Sequence, residues 1–123
     1  MAKYQCKTVG STGNKLGEVF DLADNYTLTD ETFNNHILDR HGPGSTYASK
    51  SHFNANFDIK RGIESTLKGD SFIVGPNTGG RSGYIFEQTF DSPIGVSSKG
   101  KYLYTLKVVI DEVGNVITAF PKK

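Results

Sequence analysis

The spacing of apolar residues in this 123-residue chain changes from helical to alternating near Ser71. Apolar side chains three and four apart build one face of a helix, whereas strict alternation builds one face of a strand. Ahead of the switch, Thr29-Asp30 is a helix N-cap pair with Glu31 in the first turn, followed by Phe33, Ile37 and Leu38. This helix must stop at Gly42-Pro43, because proline disfavours the helical conformation of the residue before it. A second helix is expected from Ser51 as N-cap through Phe53, Phe57, Ile63 and Leu67 to Gly69, with Gly62 a weak point inside it.

Behind the switch, Ser71 to Gly75, Tyr84 to Phe90, Ile94 to Val96, Tyr102 to Ile110 and Val116 to Phe120 read as strands. Loops are expected at Pro76-Asn77-Thr78-Gly79-Gly80, Ser98-Lys99-Gly100 and Val113-Gly114-Asn115. Helices first and an antiparallel meander second predict an α+β fold, with N-terminal helices packed on a four- to five-stranded antiparallel sheet. Residues 1–28, with Gly10-Ser11-Thr12-Gly13-Asn14, read as an irregular lead-in to one domain over residues 29–123.

Composition narrows the functional classes. A lone cysteine, Cys6, makes neither an internal bridge nor a zinc site of paired cysteines. No apolar run approaches the ~20 residues of a membrane span, and Met1-Ala2-Lys3 lacks the apolar core of a signal peptide, so no membrane anchor is expected in this chain. The net charge is only +1, which by itself speaks against bulk electrostatic binding of nucleic acid. The charge is unevenly divided: residues 1–35 hold three Lys against five Asp+Glu, and residues 36–123 hold eleven Lys+Arg against eight Asp+Glu. A mildly basic body of this kind fits recognition through a shaped cleft or a presenting partner.

All three histidines, His36, His41 and His52, fall within seventeen consecutive residues. At about 100° per residue, His41 shares the apolar arc of Phe33, Ile37 and Leu38, while His36 points to the flank. The same count on the expected second helix puts His52 on its packed side. Two inward histidines flanking Gly42-Pro43-Gly44-Ser45-Thr46 suit a general base and general acid pair, because imidazole exchanges protons near neutrality. The reaction such a pair serves most directly is RNA cleavage by the 2'-hydroxyl. One ring deprotonates the nucleophile, the other protonates the leaving 5'-oxygen, and a nearby cation or hydroxyl stabilises the phosphorane. Lys50, Arg40, Ser45, Thr46 and Ser51 are local candidates for that last role.

Plainer readings stand beside this one. A histidine at a helix C-terminus also complements the helix dipole, and His52 beside Ser51 also suits a capping region. The spacing His36-x4-His41-x10-His52 is compatible with a metal site, yet His36 points away from the other two and no carboxylate shares their spacing, so no metal and no cofactor are expected. Gly79-Gly80-Arg81-Ser82-Gly83 lacks the strand-to-helix context of a phosphate cradle and reads as a hairpin loop. Tyr102, Tyr104 and Phe86 are able to stack on bases, although aromatic residues in strands more often pack in a core or across strands.

His36-Ile37-Leu38-Asp39-Arg40-His41-Gly42, the aromatic second helix and the ending Val116-Ile117-Thr118-Ala119-Phe120-Pro121 together resemble the C-terminal ribonuclease toxin domains of contact-dependent growth inhibition and related polymorphic toxin systems. Within them the chain is similar to the grouping named for barnase, EndoU, colicins and RelE. The pancreatic-ribonuclease-like toxins of the same systems share a His-x4-His helix and a Thr-Ala-Tyr-Pro ending. The resemblance spans about residues 29–121. It implies that His41 is catalytic, that His52 or Lys50 completes the pair, and that Thr118 contacts the scissile phosphate. Phe120 stands where the relatives carry tyrosine, so no hydroxyl acts there.

The resemblance further implies an endoribonuclease acting on RNA, with tRNA as substrate class, that leaves a 2',3'-cyclic phosphate. It implies delivery to the target-cell cytoplasm as part of a larger secreted or cell-surface protein. A cognate immunity protein would cover the cleft, and in some relatives a translation elongation factor presents the tRNA. Arg81 or Lys107 would hold flanking phosphates. Thr118 and Phe120 share a strand face, but whether Lys107 joins them depends on the hairpin register. Two other classes remain open on the residues alone. One is a non-catalytic binding module, such as an immunity or adaptor protein, and the other a dinucleotide-using transferase, for which no glycine-rich strand-to-helix turn is found.

Overall fold

A computed structural model describes residues 13–69, 73–76 and 83–123. The fold is α+β, with helices packed on one face of a four-stranded antiparallel sheet and a second, three-stranded antiparallel sheet beside it. The elements in chain order are α1 (Gly13–Asp24), α2 (residues 30–41), β1 (His52–Phe53), α3 (Ile59–Lys68), β2 (Ile73–Pro76), β3 (Tyr84–Thr89), β4 (Gly95–Val96), β5 (Tyr102–Leu103), β6 (Thr105–Ile110) and β7 (Val116–Lys122). The larger sheet has the order β2-β3-β6-β7 and the smaller β1-β4-β5.

α2 begins where the sequence places it: the Thr29 side chain accepts from the Thr32 amide, and Asp30 and Glu31 occupy the first turn. Its middle, Phe33–Ile37, is π-helical. It ends at Gly42, which turns to extended backbone, and a Cβ there would lie 2.5 Å from the Leu38 carbonyl oxygen. Ile37 is fully buried in a core shared with Phe53, Ile63, Leu67, Phe86, Leu106, Val108, Ile110 and Ala119.

Two sequence expectations about the helices need correction. The lead-in is not irregular over its described part: Gly13–Asp24 is a helix whose Val19, Phe20 and Ala23 are buried in the same core. The spacing of Leu16, Val19, Phe20 and Ala23 already carries that helical signal. The second helix starts not at Ser51 but at Ile59, where Asp58 caps it by accepting from the Arg61 amide at 3.2 Å. Residues 51–54 are extended instead, because Phe53 pairs with Gly95 and Asn54 bonds to the carbonyls of Ile94 and Pro93. Gly69 ends the helix as expected.

The expected long strand from Tyr102 is two strands joined at Tyr104. The first, β5, pairs with β4, and the second, β6, pairs with β3 and β7. The β6–β7 hairpin sets Lys107 opposite Phe120 and Val109 opposite Thr118, with a bulge between Val109 and Ile110. Directly opposed residues share a sheet face. Lys107 therefore joins Phe120 and Thr118.

Candidate functional site

The open edge of β7 gathers the histidine-bearing segments. Ser51 is the joint: its hydroxyl donates to the Pro121 carbonyl at 2.7 Å, and its own carbonyl accepts from His41 Nδ1 at 2.7 Å. The end of α2, the start of β1 and the last strand are thereby tied together. Close packing at this corner also needs Gly95, where a Cβ would stand 2.3 Å from the His52 carbonyl oxygen and 2.7 Å from the Pro121 ring.

His41 is buried at 6% exposure, as the helical wheel expects. A carbonyl only accepts, so Nδ1 carries the proton and the neutral ring has its lone pair on Nε2. Nε2 is thus the ring nitrogen left to accept a proton. The ring stacks on Phe120 with centroids 5.0 Å apart and planes 23° apart, and Lys107 Nζ lies 5.3 Å from the centre of the same phenyl ring. Phenylalanine thus serves here as a packing plate. Burial lowers the His41 pKa below the ordinary 6.5; the bond to Ser51 opposes this, and the charges of Lys50, His36 and His52 push it lower.

His52 sits on β1, not on a helix, and alternates with the buried Phe53, so it lies half-exposed rather than packed. Its Nε2 donates to the Tyr47 carbonyl at 2.9 Å. Both imidazoles are therefore pinned to carbonyls of the same short segment, at Tyr47 and Ser51. Lys50 is exposed within that segment. The Arg40 guanidinium bonds to the His36 ring and lies 6.0 Å from the Tyr47 ring centre. Burial, Arg40 and Lys50 lower the His36 pKa, while Asp39 opposes them.

The other expected residues divide. Thr118 is half-buried on the face of Phe120 and Lys107. The Ser45 hydroxyl faces the Asp39 and Arg40 carbonyls at 2.7 and 3.0 Å and accepts from the Tyr47 amide, so it closes the helix end. Thr46 is exposed beside it. Arg81 and the glycine run before Gly83 lie outside the described residues. Phe86 belongs wholly to the core, whereas Tyr102 is 70% exposed. Sequence reasoning missed Tyr47 and the Pro121 carbonyl, because backbone acceptors leave no mark in side-chain patterns. Among the described residues no three His, Cys, Asp or Glu side chains form a group able to hold a metal ion, and no helix is long and apolar enough to cross a membrane. A separate open depression lined by Phe57, Asp58, Arg61, Ser65, Gln88 and Phe90 contains none of the expected site residues.

No protein family, curated protein or solved structure matches this chain. The arrangement at the β7 edge must therefore be judged by its chemistry. What it offers is a buried imidazole, a second, half-exposed imidazole, and Lys50, Lys107 and the Thr118 hydroxyl nearby.

Proposed function

We propose that the chain is an endoribonuclease toxin domain that cleaves RNA by side-chain acid–base chemistry. The observation that carries this reading is His41, whose Nδ1–H is fixed on the Ser51 carbonyl so that Nε2 is the basic nitrogen. A depressed pKa keeps that nitrogen unprotonated at neutral pH, as a general base requires. In this reading His41 Nε2 takes the 2'-hydroxyl proton, the 2'-oxygen attacks phosphorus, and the P–O5' bond breaks. The 5'-oxygen leaves with a proton from the His52 imidazolium, giving a 2',3'-cyclic phosphate and a free 5'-hydroxyl. Lys50 and Thr118 face the phosphorane charge, with Arg40 and Lys107 holding neighbouring phosphates.

The substrate class, tRNA, and the cognate immunity protein rest on the resemblance alone, as do presentation by an elongation factor and delivery as part of a larger protein. The test is incubation of the purified chain with total RNA in excess EDTA, followed by analysis of product ends. Cleavage leaving 2',3'-cyclic phosphate, lost in folded His41→Asn and His52→Ala proteins, is the expected result. Intact RNA would reduce the two histidines to pins of the loop between residues 47 and 51 and favour the binding-module reading. Cleavage lost only with EDTA would overturn the assignment of base and acid.

A further inference from the structure

The smaller sheet carries the His52 face outward. In it His52 is paired with Val96, and Val96 with Tyr102, so the three side chains form one row on one face. Neighbouring strands lie about 4.8 Å apart, which places Tyr102 on the order of 10 Å from His52. Tyr102 is 70% exposed, the highest among the aromatic residues of the described chain that are exposed, and its ring has no stacking partner there. An exposed tyrosine alone needs no explanation. This one ends a row that starts at a histidine of the candidate site.

The hairpin that presents it is closed by hydrogen bonds. The Ser97 amide donates to the Lys101 carbonyl, the Ser97 hydroxyl accepts from the Lys99 and Lys101 amides, and Gly100 takes the positive φ the turn requires. Lys99 and Lys101 are both exposed in the turn that leads into Tyr102. An exposed aromatic ring on a hydrogen-bonded hairpin whose turn carries two exposed lysines has the chemistry that binds single-stranded nucleic acid: the ring stacks on a base while lysines meet the backbone.

Resting on the ribonuclease reading, we propose that Tyr102 is a base-stacking residue for a nucleotide flanking the scissile phosphate, with Lys99 and Lys101 contacting its backbone. The RNA then crosses the smaller sheet from His52 over Val96 to Tyr102. Tyr102 touches no reacting atom, so its effect lies in binding of longer substrates.

The experiment measures binding of a fluorescein-labelled single-stranded oligoribonucleotide by anisotropy, at fixed salt, to the His41→Asn protein with and without Tyr102→Ala or Tyr102→Phe. In parallel, cleavage of the oligonucleotide and of a dinucleotide is measured with the His41 proteins. Loss of one stacked base weakens binding roughly 5- to 150-fold in Tyr102→Ala, while Tyr102→Phe binds as the parent and dinucleotide cleavage is unchanged. RNA cleavage with oligonucleotide affinity unaffected by Tyr102→Ala would overturn the stacking role and leave the ribonuclease reading intact. Tyr102-dependent binding without any cleavage would uphold stacking and overturn the catalytic reading. No oligonucleotide binding at all would overturn this proposal and leave the exposed row as a protein-docking face.

Discussion

His41 combines two functions that a surface histidine does not. Its Nδ1–H fills the Ser51 carbonyl and its ring fills space against Phe120, so the same side chain holds the β7 edge together and presents Nε2. Replacing it with alanine leaves that carbonyl without a donor and opens a gap, a cost of about 1–3 kcal/mol. Asparagine restores an N–H donor, and urea unfolding should rank the parent above His41→Asn and His41→Ala lowest. The pH dependence follows from the direction of the pKa shift. Because the folded ring titrates below 6.5, the unfolded chain binds the proton first as pH falls. Stability is therefore full above 6.5, declines on acidification below it, and stops declining once the folded ring also protonates. His36 adds a decline of the same sign, so His41→Asn should make the acid-side loss in urea midpoint shallower without abolishing it.

Elements explain what the sequence made legible and what it did not. α2 was legible because its cap, its apolar arc and its proline stop are all local, and with it the inward aim of His41. α1 was obscured by Gly13 and Gly17 in a short helix whose support comes from packing of Val19, Phe20 and Ala23. The segment of β1 has a helical pattern in the sequence because Ser51 suits an N-cap and Phe53, Phe57, Ile63 and Leu67 have acceptable helical spacing. Its true partner, β4, lies some forty residues ahead, and only that pairing makes residues 51–54 extended. His52 thus reaches the candidate site through a strand and not through a helix face. The bulge between Val109 and Ile110 set the face of Lys107, and nothing local in the turn specifies it. The corner of the two sheets is where a small change should be felt most. Gly95→Ala forces backbone and a proline ring apart, and a loss of about 1–3 kcal/mol in unfolding free energy is expected. Ser51→Ala removes one hydroxyl bond to Pro121 and should cost about 1 kcal/mol by the same measurement.

At the scale of the whole molecule, a chain of net charge +1 binds a polyanion only where its cations are concentrated. Arg40, Lys50 and Lys107 sit around the histidines, with Lys99 and Lys101 along the proposed path of the strand. Engagement of about four phosphates gives a slope of log Kobs against log salt of about −3 for single-stranded RNA, and titration of oligonucleotide binding with salt should return a value of that size. A much steeper slope would mean that binding spreads over the surface at large. The central claim is that His41 takes the proton from the nucleophile while His52 gives one to the leaving oxygen. The most direct measurement compares cleavage of a normal RNA linkage with that of a 5'-bridging phosphorothiolate, whose sulfur leaves without protonation. Each histidine variant should lose about 10²–10⁴-fold on the normal linkage. On the phosphorothiolate, His52→Ala should regain most of its lost rate and His41→Asn should not. Recovery by His41→Asn instead, or equal impairment of both on the sulfur substrate, would contradict the assignment.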